Sequence, residues 1–125
     1  MGQNGPVGAV LTEVVVDAED PHALAAWWAE VLGWRTIEAD ETGVEIGAAD
    51  GATPTLVFVP VPEAKAGKNR IHLDVNPTGC DQDEELFRLR SLGARDVDVG
   101  QGEQTWHVLA DPEGNEFCLL RRRVG

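Results

Sequence analysis

The sequence has one serine, two cysteines and only 10 lysines and arginines against 22 aspartates and glutamates, and each shortage excludes something. Ser91 has no candidate base near it in sequence, which argues against a serine nucleophile. Cys80 and Cys118 are too few to staple a domain, so free thiols are expected. A Cys-x-x-Cys pair, a Gly-rich phosphate loop and a Gly-x-Ser-x-Gly elbow are all missing. No uncharged apolar run approaches the roughly 18 residues of a membrane span, and the first residues lack the basic start and apolar run of a signal peptide. A soluble, cytoplasmic protein is expected. The net charge of -12 would repel nucleic acid and anionic membranes, and suits a neutral or cationic small molecule better. The same surplus of acid can also serve only to keep a protein in solution.

What is present is enough for one domain: 125 residues, 42% of them hydrophobic, bury one core and leave no room for a second. Residues 1–9 read as a loose leader, with three glycines and Pro6 among the first eight. Residues 10–17 are rich in valine and form a strand candidate, whose alternation sets Glu13, Val15 and Asp17 against Val14 and Val16. Asp20-Pro21 is a helix start, Leu24, Trp27, Trp28 and Val31 recur at helical spacing, and Gly33 is a stop. Extended segments are predicted at 35–39, 44–48 and 55–59. A connector at 61–69, rich in breakers and lysine, follows.

The order then repeats. Residues 70–75 read as a strand; Asp81 with Glu84 reads as a capping box, and Leu86, Phe87, Leu89 and Leu92 mark a second helix stopping at Gly93. Extended segments at 96–99, 105–110 and 116–120 come next, the last two joined by Asp111-Pro112-Glu113-Gly114, and residues 122–125 form a tail. Leu32-Gly33-Trp34-Arg35 and Leu92-Gly93-Ala94-Arg95 occupy equivalent places. The expected fold is therefore α+β. Two βαβββ modules, at about 10–60 and 70–121, would form a curved mixed sheet with helices on the outer face and a concave cleft for a ligand.

This order, with Leu32-Gly33, Asn69-Arg70-Ile71-His72-Leu73-Asp74 and Asp111-Pro112-Glu113-Gly114-Asn115, resembles the vicinal oxygen chelate superfamily of glyoxalases, bleomycin-resistance proteins and extradiol dioxygenases. Its glyoxalase-like subgroup is the most similar in appearance, through residues 61–72 and 111–120. The resemblance implies a cleft holding one divalent metal ion (Zn, Fe, Mn or Ni) at positions that fall here on Glu13, Val59, His72 and Cys118, or a related cleft without metal. Glu13, His72 and Cys118 are capable ligands; Val59 has no donor. Catalytic roles fall on Glu13 and His72, which the resemblance places face to face. It also implies a homodimer.

Each of these residues has a plainer reading. His72 between Ile71 and Leu73 can simply bond a nearby acid, and Cys118 between Phe117 and Leu119 can be inert filling. Glu13 in a valine-rich strand must face a wet cleft or find a partner. Trp28 and Trp34 are candidates for core or for ligand contact, and on the strand at 105–110 Trp106 and His107 must point to opposite faces. Trp28, Trp34, Val59, Trp106 and His107 are thus the candidate ligand-binding residues, for an aromatic or cationic small molecule. Sequestration of such a molecule is one expected function; a metal-dependent lyase, isomerase or dioxygenase is a second, and an interaction module without ligand a third.

Overall fold

The computed structural model describes Gly5 and residues 7–125; the rest of the expected leader lies outside the described residues. The elements follow the order β1 (Glu13–Ala18), α1 (Pro21–Leu32), β2 (Arg35–Asp40), β3 (Gly43–Gly47), β4 (Thr55–Pro60), then β5 (Leu73–Val75), α2 (Gln82–Ser91), β6 (Arg95–Asp96), β7 (His107–Ala110) and β8 (Glu116–Leu119). This is βαβββ twice. The strands pair within their own module, giving two mixed sheets in the orders β1-β4-β3-β2 and β5-β8-β7-β6. The first strand of each module runs parallel to the last, and the others are antiparallel.

Both helices begin on side-chain caps. Asp20 accepts the amide of Ala23 ahead of Pro21, and Asp81 and Glu84 form the reciprocal box. Gly33, at φ 65°, closes α1 in the left-handed conformation that a side chain disfavours. Phe87, expected with the helix core, instead points outward and is 74% exposed, because the buried side of this short helix is taken by Glu85, Leu86 and Leu89.

Two strands begin later than expected. Residues 10–12 are not strand: the last bond of this edge runs from the Thr55 amide to the Thr12 carbonyl, and Val10 and Leu11 lie exposed. At β5 the pairing begins at Leu73, opposite Phe117 and one residue inside β8, while the preceding Asn69 amide is taken by the Glu116 carboxylate. His72 therefore sits just ahead of its strand.

Alternation sorts the side chains as the valine pattern predicts. Leu56, Phe58, Val44 and Ile46 are buried in one core with Leu24, Ala25, Trp28 and Val31 of α1, and Val14 and Val16 pack against it. From the second module Leu86, Leu89, Leu109, Phe117 and Leu119 join the same core. The join is aromatic: Phe117 meets Trp28 edge-on at 4.9 Å and Trp27 at 5.9 Å. Hydrogen bonds reinforce it, from Trp27 Nε1 to the Leu92 carbonyl, from Arg88 to the Val31 carbonyl, and from the Glu19 and Asp20 amides to Glu113. The opposite faces of the sheets stay outside this core, with Glu13, Val15 and Asp17 on the first sheet and Asp74, Val108 and Cys118 on the second.

One glycine is fixed by close approach. Gly43 has φ 152°, and an added Cβ would fall 2.6 Å from the Phe58 carbonyl oxygen, part of the ladder between β3 and β4. Gly43→Ala should cost about 2 kcal/mol in urea unfolding, since backbone rather than a flexible side chain would have to yield.

Candidate functional site

On the face of the second sheet turned away from the helices, its outer face, a cavity of about 360 Å³ is lined by Val99, Trp106, Val108, Cys118 and Leu120, with Lys68, His72, Asp74, Gln101 and Glu116 supplying its polar groups. The register explains its floor: Val108 and Asp74 flank Cys118 on neighbouring strands and all three share one side of the sheet. Val108 and Cys118 are buried although they lie outside the main core.

Three donors meet in its wall. His72 Nδ1 is 3.1 Å from Asp74 Oδ1 and 3.9 Å from Cys118 Sγ, and the donor atoms of all three residues lie within 4.8 Å of one another. Burial pushes the Cys118 thiol up, and the Asp74 charge and hydrogen bond push it further, against the opposing pull of Lys68. A buried thiol held protonated is a poor nucleophile by itself. Moreover the same imidazole nitrogen faces both Asp74 and Cys118, so this is no relay in which one nitrogen is oriented while the other takes a proton. Three donor atoms within 4.8 Å of one another could hold a cation instead. Imidazole, carboxylate and thiolate together match zinc or another borderline divalent ion better than magnesium or calcium, and three protein donors leave positions open for water or ligand.

Glu13 does not belong to this group. It lines a separate acidic depression on the first sheet with Glu38, Asp40, Glu45 and Val59, which shares no residue with the His72 cavity. Within one chain Glu13 and His72 line different cavities, and the acid beside His72 is Asp74. Trp106 does line the cavity, whereas His107 does not and lies instead by Asp96 in a neighbouring depression. Trp34 packs against the core. Trp28 is buried and donates its Nε1–H to Asp111 at 2.9 Å. It also forms part of a groove of about 490 Å³ between β1 and β5, where Asp111 and Glu113 are engaged in bonds that join the modules, Asn115 bonds Asp111 within the turn, and Glu116 is paired with Lys65. Asp74, Lys68, Val99 and Leu120 were not foreseen. The signal for Asp74 was its place two residues after His72, the spacing that puts two side chains on one face of an extended segment.

Glu116 closes the inner end. Burial would raise its carboxyl, but the Asn69 amide and the Lys65 ammonium at 3.1 Å outweigh this and hold it below the ordinary carboxylate range. These bonds also pin the connector, and so the approach to His72. Glu116→Gln should lose the Lys65 pair and loosen residues 65–72, read as faster amide hydrogen exchange there at a stability cost of about 1 kcal/mol.

No helix among the described residues is long and apolar enough to cross a membrane. Comparison with curated proteins gives no match. Solved structures share the fold at low identity. The oxidase ChaP-H2 is 18% identical, with 95% of this chain and 98% of that chain covered and a TM-score of 0.63. A glyoxalase/bleomycin resistance protein/dioxygenase family enzyme from Burkholderia phytofirmans PsJN is 19% identical, with 89% and 97% covered and a TM-score of 0.66. The fosfomycin resistance protein FosX from Mesorhizobium loti is 15% identical, with 91% and 92% covered and a TM-score of 0.67. The family model of the glyoxalase-like domain matches residues 13–120, nearly the whole of both modules, and the chain belongs to that family.

Proposed function

We propose that this protein binds a small apolar or aromatic molecule in the Trp106 cavity, beside a divalent metal ion held by His72, Asp74 and Cys118. The observation that carries the reading is the convergence of those three donor atoms in the wall of an otherwise apolar cavity. When bound, such an ion supplies a positive centre that polarises the oxygen atoms of a ligand. The chain's own contribution is orientation. Trp106, Val99 and Leu120 offer an apolar wall beside the three donors.

Sequestration of the resistance type is favoured over turnover, because the carboxylates in the cavity are already engaged: Asp74 with His72, and Glu116 with Lys65 and Asn69. Neither is a free general base. The second reading, a metal-dependent lyase, isomerase or dioxygenase, draws support from the open positions that three protein donors leave on a metal. A homodimer belongs to both readings. Glu13 and Val59 keep a place in the site only through such pairing, whose support is the open outer face of the first sheet, with Val15 55% exposed in it.

Stripped protein titrated with zinc in a calorimeter should take up one equivalent per chain, with quenching or a shift of tryptophan emission from Trp106. Absence of stoichiometric uptake removes the metal from the proposal. Sedimentation at micromolar concentration should give twice the chain mass; a monomer would exclude Glu13 and Val59 from the site.

A further inference from the structure

The chain as a whole is strongly acidic, yet the cation bordering the cavity has no carboxylate partner. Among the described residues, Arg88 is paired with Glu85, Arg90 with Asp96 and Lys65 with Glu116. Lys68, which lines the His72 cavity, makes only a long 3.4 Å contact to the Asn69 carbonyl. The acids facing the same space are spoken for, Glu116 by Lys65 and the Asn69 amide, Asp74 by His72. Arg35, Arg70, Arg95 and Arg121 to Arg123 likewise appear in no ion pair among the described residues, so what sets Lys68 apart is its place in the lining of an apolar cavity beside Trp106.

We propose that Lys68 reads an anionic group on the ligand, so that the cavity takes a small ring compound carrying a carboxylate or similar oxyanion, with its ring against Trp106. The inference deepens the proposed binding function and rests on it. Physically, the cavity offers two dissimilar ends. Trp106, Val99, Val108 and Leu120 give an apolar wall that accepts a flat ring, and Lys68 supplies one flexible charged donor at the edge, where an ammonium can keep part of its hydration and still meet an oxyanion. The volume of about 360 Å³ is at the small end for ligand cavities, which suits a single ring better than a fused system. Overall charge does not set the preference at this wall, because charges more than roughly a Debye length away are largely screened.

The test uses the full chain with benzoate, benzamide and benzylamine, three probes of nearly equal size that differ in charge. Binding is read by calorimetry and tryptophan emission, once in metal-free protein and once with one equivalent of zinc. Benzoate should bind about tenfold more tightly than benzamide, and benzylamine most weakly. Lys68→Met should bring benzoate down to the benzamide value, and Lys68→Arg should keep most of the preference. Trp106→Ala should weaken all three alike. Equal affinities for the three, a benzoate preference untouched by Lys68→Met, or no binding of any probe into the millimolar range would overturn the inference. The two metal states separate it from the metal reading. A Lys68-dependent preference in metal-free protein sustains the inference even where zinc does not bind. A preference that appears only with zinc and survives Lys68→Met sustains the metal and rejects the lysine.

Discussion

His72→Ala should weaken zinc binding by more than a hundredfold, and Cys118→Ser nearly as much, while the fold stays intact. Losing a residue that merely orients a metal ligand typically costs about 10–100-fold, so losing a donor atom itself should exceed that range. The two residues differ in what they leave behind. His72 is exposed and lies outside β5, so alanine there removes an imidazole without opening the core. Cys118 is buried on the floor of the cavity, where serine keeps the volume and replaces a soft thiolate with a hydroxyl that ionises far less readily. Asp74→Asn is the finer probe. It keeps shape and one oxygen, removes the charge, and should fall between the wild type and the other two. Because burial and Asp74 hold the Cys118 thiol protonated, zinc has to displace that proton. Affinity should then rise with pH until the raised thiol ionises, one proton contributing about tenfold per pH unit, a contribution that Cys118→Ser removes. Competition against a zinc-chelating dye, with unfolding curves to certify each variant, measures all of this. Wild-type affinity in His72→Ala would end the metal assignment.

Much of this fold was legible because its signals are local. Asp20-Pro21, Gly33 and the Asp81–Glu84 box each act within one helical turn, and each sits where the sequence puts it. The alternation of Val14 and Val16 against Glu13 and Val15 depends only on strand geometry, and it holds. What the sequence carried less well is length of pairing. Residues 10–12 and 70–72 look like strand, but β1 pairs only from Glu13, opposite Thr55, the first residue of β4, and β5 only from Leu73, opposite Phe117, one residue inside β8. The site shows the same division. Cys118 and His72 come together because one module brings them together, on β8 and just before β5. Glu13 depends on how two modules, or two chains, are set against one another, and no local pattern encodes that. Asp74 differs again: its His-x-Asp spacing is visible in the sequence, but equivalence across the repeat points from His72 to Glu13 and carries no signal for a partner two residues away.

The largest stability effect should come from outside the cavity, at Asp111. This carboxylate is 1% exposed and carries four donors: Trp28 Nε1, the amides of Glu113 and Asn115, and the Asn115 side chain. It organises the turn between β7 and β8, and through Trp28 it ties that hairpin to α1 of the other module. Asp111→Ala should therefore cost about 4 kcal/mol, because a buried indole N–H and two turn amides lose an ionised acceptor at once and water has little access to replace it. Asp111→Asn should cost about 2–3 kcal/mol, since its amide nitrogen would turn a donor toward groups that are themselves donors. Trp28→Phe keeps the ring in contact with Phe117 and loses only the N–H, so about 1 kcal/mol is expected, much of the Asp111 charge remaining satisfied by Asn115. Urea unfolding followed by far-ultraviolet circular dichroism gives the three values, and an Asp111→Ala cost no larger than that of Trp28→Phe would show the turn to be held by its backbone alone. The effect should also reach the site. Cys118 lies seven residues beyond Asp111 on the strand that this turn launches, so a turn that frays moves the thiol relative to His72. Asp111→Ala should then weaken zinc binding while leaving every donor atom in place. Asp111→Asn, with the turn better preserved, should weaken it less, and the two losses should follow the order of the stability costs.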